Sequence, residues 1–305
     1  MLLFIAGGTG FIGRNLVSFL RQQGINARCL VRNPQKSAPL CSGFEMVAGD
    51  LNNIPSGALD GVDMVIHLVG IIREEGRETF QSVHVNGTHN LVNESLKAGV
   101  RRFFYQSSLG ASLESQSMYQ KTKAMAESFV KDSGMHYIIF RPSLVLGEDD
   151  GFTRQMISLI RTAPVVPVPG NGKAKFQPLY IKDWLKCFQA VLDKSGHEDR
   201  TYEMGGPEHL EYNQMLEKYM DALGIHKKLT HMPMALVKTG VSIMGIAALV
   251  PGLKGHIPPV SAEQLELLGT DNITDIDSIR KQFGFEPLKM EDYLKEFISP
   301  QAQDR

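Results

Sequence analysis

Residues 2–20 read LLFIAGGTGFIGRNLVSFL, and this stretch decides the fold. Leu2 to Ala6 is apolar with no polar alternation, as a strand covered on both faces must be. From Phe11 the period changes, with Ile12, Leu16, Phe19 and Leu20 at helical spacing. Between the two lies Gly7-Gly8-Thr9-Gly10-Phe11-Ile12-Gly13, which satisfies both G-x-G-x-x-G from Gly8 and G-x-x-G-x-x-G from Gly7. A strand before and a helix after give this spacing its meaning. Glycine permits the tight turn and lets backbone approach a pyrophosphate, whose charge is met by amide N–H groups and the helix dipole at Phe11 to Gly13. The expectation is a dinucleotide held by Gly7, Gly8, Thr9, Gly10, Phe11, Ile12 and Gly13.

Strand and helix keep alternating beyond this point. Residues 27–31, 44–47, 63–68, 102–106 and 136–141 read as strands, with helices over 79–98 and 116–132. Steady alternation argues an α/β, doubly wound parallel sheet of Rossmann type, with ligands beyond the carboxyl ends of its strands. After residue 142 prolines and glycines crowd the chain, a helix over 182–192 and a strand over 200–204 follow, and helices dominate from 205. The expected division is a dinucleotide-binding domain over 1–160, rejoined by 176–204. A smaller, mainly helical substrate or partner domain takes 205–305 and the 161–175 loop.

Composition narrows the classes. With 305 residues, 43% hydrophobic and 21% charged, a net charge of −1 and a pI near 6.8, the chain reads as a soluble globular protein. It has no basic stripe for a nucleic acid. Cys29, Cys41 and Cys187 are unpatterned and suit a reducing compartment, and the first apolar run is too short for a secretion signal, so a cytoplasmic location is expected. The histidines lack metal-ligand spacing. Residues 234–250, MALVKTGVSIMGIAALV, carry Lys238 and fall short of the roughly 20 apolar residues of a membrane span. They read as a core helix, with peripheral contact to an inner membrane or membrane complex as the alternative.

The second strand ends Cys29-Leu30-Val31-Arg32, and no acid follows before Glu45. A carboxylate there would accept from a ribose 2′-hydroxyl, whereas a guanidinium pairs with a 2′-phosphate. Arg32, helped by Lys36, therefore favours NADP(H), with NAD(H) as the alternative. Asp50 is placed for the adenine amino group, or is a turn former.

Of eight tyrosines only Tyr119 has a lysine, Lys123, four residues on. On a helix the two share a face. An ammonium about 4 Å from a phenol contributes roughly 4 kcal/mol at an effective dielectric near 20, which would bring the phenol from about 10 to near 7. The bland reading is an exposed helix on which Lys123 pairs with Glu127.

These segments together resemble the short-chain dehydrogenase/reductases, in their extended and atypical branch. The resemblance rests on the glycine loop, Ala48-Gly49-Asp50-Leu51, His67-Leu68-Val69-Gly70, Asn86-Gly87-Thr88, Ser107-Ser108, Tyr119-x-x-x-Lys123 and Arg141-Pro142-Ser143. Later segments, QPLYIKDW (177–184), MGGPE (204–208), LLGTDN (267–272) and FGFEP (283–287), are similar to the branch that contains the nucleotide-binding accessory subunit of mitochondrial complex I and its bacterial relatives. The resemblance implies a catalytic set of serine, Tyr119 and Lys123, joined by Asn86. The serine is Ser107 or Ser108, with Ser107 preferred. It also implies cofactor contacts from Leu51, Leu68, Pro142 and Lys123, with Arg141 to Ser143 bordering the nicotinamide. Two functions follow. One is an NADP(H)-dependent oxidoreductase, epimerase or dehydratase acting on a carbonyl or hydroxyl of an unidentified small molecule. The other is a non-catalytic NADP(H)-binding accessory or assembly subunit of a respiratory-type complex. Either would act as a monomer or dimer.

Overall fold

Leu2–Ala6 forms β1 at the centre of a seven-stranded sheet in the computed structural model, which describes residues 1–235, 237 and 262–298. The other strands are β2 (Asn26–Val31), β3 (Glu45–Ala48), β4 (Met64–His67), β5 (Arg102–Gln106), β6 (His136–Pro142) and β7 (Arg200–Met204). All neighbours are parallel, in the order β7-β6-β5-β4-β1-β2-β3. Four of the five β1 residues are wholly buried, as their unbroken apolar character requires. The helices are α1 (Phe11–Gln22), the short α2 (Pro34–Ser37), α3 (Gly87–Lys97), α4 (Met118–Lys131) and α5 (Ile181–Asp193). One turn is π-helical, Gln81–Asn86, leading directly into α3, with the Gly87 amide reaching back five residues to the Ser82 carbonyl.

Strand order reverses at β1, since the chain adds β2 and β3 on one side and β4 onward on the other. At such a switch point the loops diverge and open a crevice. Here the chain leaving β4 stays beside the chain leaving β1, with the Leu68 amide donating to the Ala6 carbonyl at 2.8 Å. Gly7 has φ +94°, and a Cβ there would lie 2.8 Å from the Val69 nitrogen. A Cβ on Gly13 would lie 2.1 Å from the Gly7 oxygen and 2.7 Å from the Gly8 Cα. These two glycines let α1 begin directly against the end of β1. Gly10 differs, because a Cβ there would meet only the Gly7 oxygen, at an ordinary 3.5 Å.

The chain forms two compact units, Met1–Pro142 with Ile181–Met204, and Ser143–Tyr180 with Gly205–Arg305. The boundary falls at Pro142, earlier than the expected 160, because the helix Gly151–Thr162 packs with Tyr212–Leu223 through a bond between the Thr153 and Tyr219 hydroxyls. Gln177 ties the second unit together, donating to the Gly206 and Asp275 carbonyls and accepting from the Thr274 amide. The apolar segment 234–250 lies almost entirely outside the described residues. Among the described residues no helix is long and apolar enough to cross a membrane, and no group of side chains could hold a metal ion.

Gly13→Ala is expected to destabilise the protein by about 2–3 kcal/mol and lower its melting temperature by several degrees. Gly10→Ala should leave the midpoint within about 1 °C, because ordinary contact costs little. Thermal unfolding of the two variants checks the pair, and equal losses would contradict the packing described.

Candidate functional site

The site is built at the carboxyl ends of β4 and β5 and on one face of α4. Helix α4 starts at Ser117, whose hydroxyl accepts the Gln120 amide, a serine cap of the usual kind. Tyr119 and Lys123 sit one turn apart on it. The Lys123 amine is 3% exposed, donates to the Gln106 carbonyl at 2.5 Å and lies 4.6 Å from the centre of the Tyr105 ring. Burial pushes its pKa down to about 7. The Gln106 side chain is held in turn, accepting from the Trp184 indole at 3.0 Å and donating to the Ser107 carbonyl at 3.1 Å.

Two histidines line the same region. His84, on the π-helical turn, accepts the Ile71 amide at Nε2 (3.1 Å), so its ring proton sits on Nδ1 and is given to the Thr122 hydroxyl at 3.0 Å. Thr122 passes its own proton to the Met118 carbonyl at 2.8 Å. His84 thereby ties the loop after β4 to the helix carrying Tyr119, whose ring it meets edge-on at 5.6 Å. His67 Nε2 lies 2.9 Å from the Thr88 hydroxyl, and its Nδ1 is buried without a partner. Burial, then the Lys123 charge, push His67 down to about 3 and His84 to about 2, so both are neutral imidazoles at ordinary pH. Gly70 closes this group, since a Cβ there would stand 3.5 Å from the Lys123 amine and 3.6 Å from His84 Nε2.

The two serines divide their work. Ser107 Oγ donates to Glu127 Oε1 at 2.6 Å, whereas the Ser108 hydroxyl acts on the Tyr119 phenol only by lowering its pKa. The Ser108 hydroxyl oxygen is buried and has no hydrogen-bond partner among the described residues. Of the two, therefore, Ser107 is engaged by Glu127, and Ser108 is the serine whose hydroxyl is not engaged among the described residues. The phenol is not lowered toward 7 as the charge argument expects. Burial raises it, and the Ser108 hydroxyl only partly opposes this. Glu127 is no exposed partner of Lys123 either. Its carboxylate is buried and takes both arms of Arg141 (2.8 and 2.7 Å), with Lys131 at 3.1 Å. Burial pushes Glu127 up, but the bonds from Arg141 and Ser107 outweigh it and hold the carboxylate below its usual range. Arg141 is thus committed to Glu127, with Glu203 beyond it at 3.4 Å.

Asn86 is exposed and accepts from Gln81, whereas His84 of the same turn is buried and meets the Tyr119 ring. Asp50 Oδ1 accepts the Asn52 and Asn53 amides at 2.8 and 3.0 Å, which is a turn-forming role. Leu51 is buried against Gly87, and Leu68 lies against Gly7. Thr9 and Gly10 are exposed and Phe11 and Ile12 half-buried at the start of α1, so the first amides of that helix stand over the crevice. Arg32 is exposed and paired with Glu78. The residues of the glycine loop fit a dinucleotide pyrophosphate, in that the tight glycines pack against protein while Gly10 keeps its outer side open.

The profile of the NAD dependent epimerase/dehydratase family matches residues 3–205, covering β1 through β7. The chain belongs to this family. It is 24% identical over 310 residues to the NADH dehydrogenase [ubiquinone] 1 alpha subcomplex subunit 9 of Arabidopsis thaliana, covering 96% of this chain and 76% of that one. Identity to the 3 beta-hydroxysteroid dehydrogenase/Delta 5-->4-isomerase of Mycobacterium tuberculosis is 26% over 324 residues, covering 94% and 86%. The fold also matches a solved UDP-glucuronic acid 4-epimerase of Bacillus cereus in complex with UDP-glucuronic acid and NAD, with a TM-score of 0.73, 17% identity and 99% of both chains covered. The short-chain dehydrogenase/reductase resemblance and the Rossmann-type fold thus stand on sequence and structure together.

The buried histidines make a pH prediction. Their folded pKa values lie below the unfolded value near 6.5, so below pH 6.5 the unfolded chain binds more protons and stability falls with falling pH. Each can contribute up to about 1.4 kcal/mol per pH unit. Histidine NMR signals should show His67 and His84 untitrated between pH 8 and 5, while the urea midpoint drops between pH 7 and 5. Titration of either ring near 6.5 would contradict the buried network.

Proposed function

We propose that this chain is an NADP(H)-dependent oxidoreductase, acting on a carbonyl or secondary alcohol of a small molecule, in which Tyr119 moves the proton. The observation that carries the reading is the buried Lys123 amine one turn from Tyr119 on α4, held at the end of β5 in the sheet that also carries the glycine loop. A 3 beta-hydroxysteroid dehydrogenase/Delta 5-->4-isomerase among the relatives, and a similarly folded epimerase solved with NAD, support the nicotinamide-dependent part of the reading, while Arg32 supports its NADP(H) part.

A bound nicotinamide supplies or accepts the hydride. The protein's part is positioning and proton transfer. Gly7 to Gly13 and the first amides of α1 take the pyrophosphate. Lys123 offers its amine to a ribose hydroxyl, and Gly70 leaves the room for it. Ser108 Oγ, without a firm partner of its own, donates to the substrate oxygen and holds it in line. Tyr119 gives its phenolic proton to that oxygen as a carbonyl is reduced. Burial keeps the phenol protonated, the form that donates to a carbonyl oxygen. Arg32 takes the 2′-phosphate in place of Glu78.

The second reading, a nucleotide-binding accessory subunit, is favoured by the similarity to a complex I alpha subcomplex subunit. Tyr119→Phe separates the two. Turnover with NADPH and a panel of carbonyl compounds should fall by about 10³-fold while the NADPH dissociation constant changes less than about twofold. Ser108→Ala should lower turnover by about 10²-fold, and Ser107→Ala should act mainly on stability, through the loss of its bond to Glu127. Should no carbonyl compound be turned over and Tyr119→Phe alter nothing, the accessory reading replaces the enzymatic one.

A further inference from the structure

We infer that Glu78 moderates the preference for NADPH over NADH, by occupying the guanidinium that would otherwise be given to a ribose 2′-phosphate. The inference rests on the nucleotide-binding reading above and adds a specificity residue to it.

Arg32 follows β2, next to the glycine loop, where a parallel sheet of this order receives the adenosine ribose. Its side chain is 75% exposed, yet it is paired with Glu78, itself 48% exposed and 46 residues further along the chain. Glu78 comes from the loop after β4, which begins on the other side of β1. The pair therefore joins the two sides of the switch point. A carboxylate that the end of β2 does not supply is delivered there by another crossover.

Glu78 is not placed by chance fluctuation of a free loop. Its backbone exchanges two hydrogen bonds with Glu75, each 3.0 Å. Glu75 is held by Arg73 at 2.8 Å, and the Glu74 carboxylate accepts the Phe80 amide at 2.7 Å. Phe80 is buried and stacks on His84 at 5.5 Å, so the loop is anchored at its far end in the site itself.

The consequence is a competition. With NADH, Arg32 stays on Glu78 and the carboxylate is available to the ribose 2′-hydroxyl. With NADPH, the phosphate must take Arg32 from Glu78, and the released carboxylate stands beside two further negative charges. An exposed ion pair of this kind shifts an equilibrium by no more than about fivefold, to which repulsion adds. Glu78 thus moderates the preference that Arg32 creates, and the chain can use both nucleotides.

The test is the dissociation constant of NADPH and of NADH, read by nucleotide fluorescence, for the full-length wild type, Glu78→Gln and Arg32→Ala. Glu78→Gln should tighten NADPH by about three- to tenfold and leave NADH unchanged or weaker. Arg32→Ala should weaken NADPH by tenfold or more with little effect on NADH. If Arg32→Ala lowers the NADPH preference but Glu78→Gln leaves the ratio unchanged, or moves it toward NADH, the role given to Glu78 is wrong while the nucleotide reading stands. If the wild type binds neither nucleotide, that reading fails as well.

Discussion

Burial of one amine organises the site. Lys123 is 3% exposed, and taking a charge out of water costs several kcal/mol unless its surroundings answer it. Here the answer is sparse: one backbone carbonyl from Gln106 and the face of Tyr105. Two more basic groups, His67 and His84, stand close enough to feel it and are kept neutral partly by its charge. A residue chosen for stability would not be placed this way. Strongly shifted groups gathered at the ends of parallel strands are the pattern of a site where protons are handled.

The carboxylate that could have neutralised this amine is one turn away on the same helix. Glu127 is instead taken up by Arg141, Ser107 and Lys131. The ion pair is thus made behind the site, between α4 and β6, and the amine is left for something else to meet. The same arrangement holds Ser107 by its hydroxyl and leaves that of its neighbour Ser108 unengaged among the described residues. Separation of the two charges on α4 is what makes the front of the helix functional and its back structural.

Much of this was legible in the sequence. Unbroken apolar strands alternating with amphipathic helices require the parallel sheet, and the glycine loop between β1 and α1 marks its switch point. The spacing of Tyr119 and Lys123 puts them on one face, as found. What was not legible depends on partners far apart in the chain. Ser107 and Ser108 are adjacent and alike, and only the buried Glu127, 20 residues from Ser107, separates their roles. Asn86 and His84 lie on a π-helical turn, whose extra residue shifts the phase of everything it carries, and no local signal announces it. The phenol's direction depends on desolvation, which spacing along a helix does not reveal. No acid follows Arg32 at the end of the second strand, and the carboxylate beside it arrives from a loop 46 residues on.

The central claim is that Tyr119, Ser108 and Lys123 form one site around a bound nicotinamide. A crystal structure of the full chain with NADPH tests it most directly. The account predicts the Tyr119 and Ser108 oxygens within hydrogen-bond reach of a common point above nicotinamide C4, with the Lys123 amine on the ribose. A nicotinamide lying elsewhere, or side chains filling the space above C4, would contradict it.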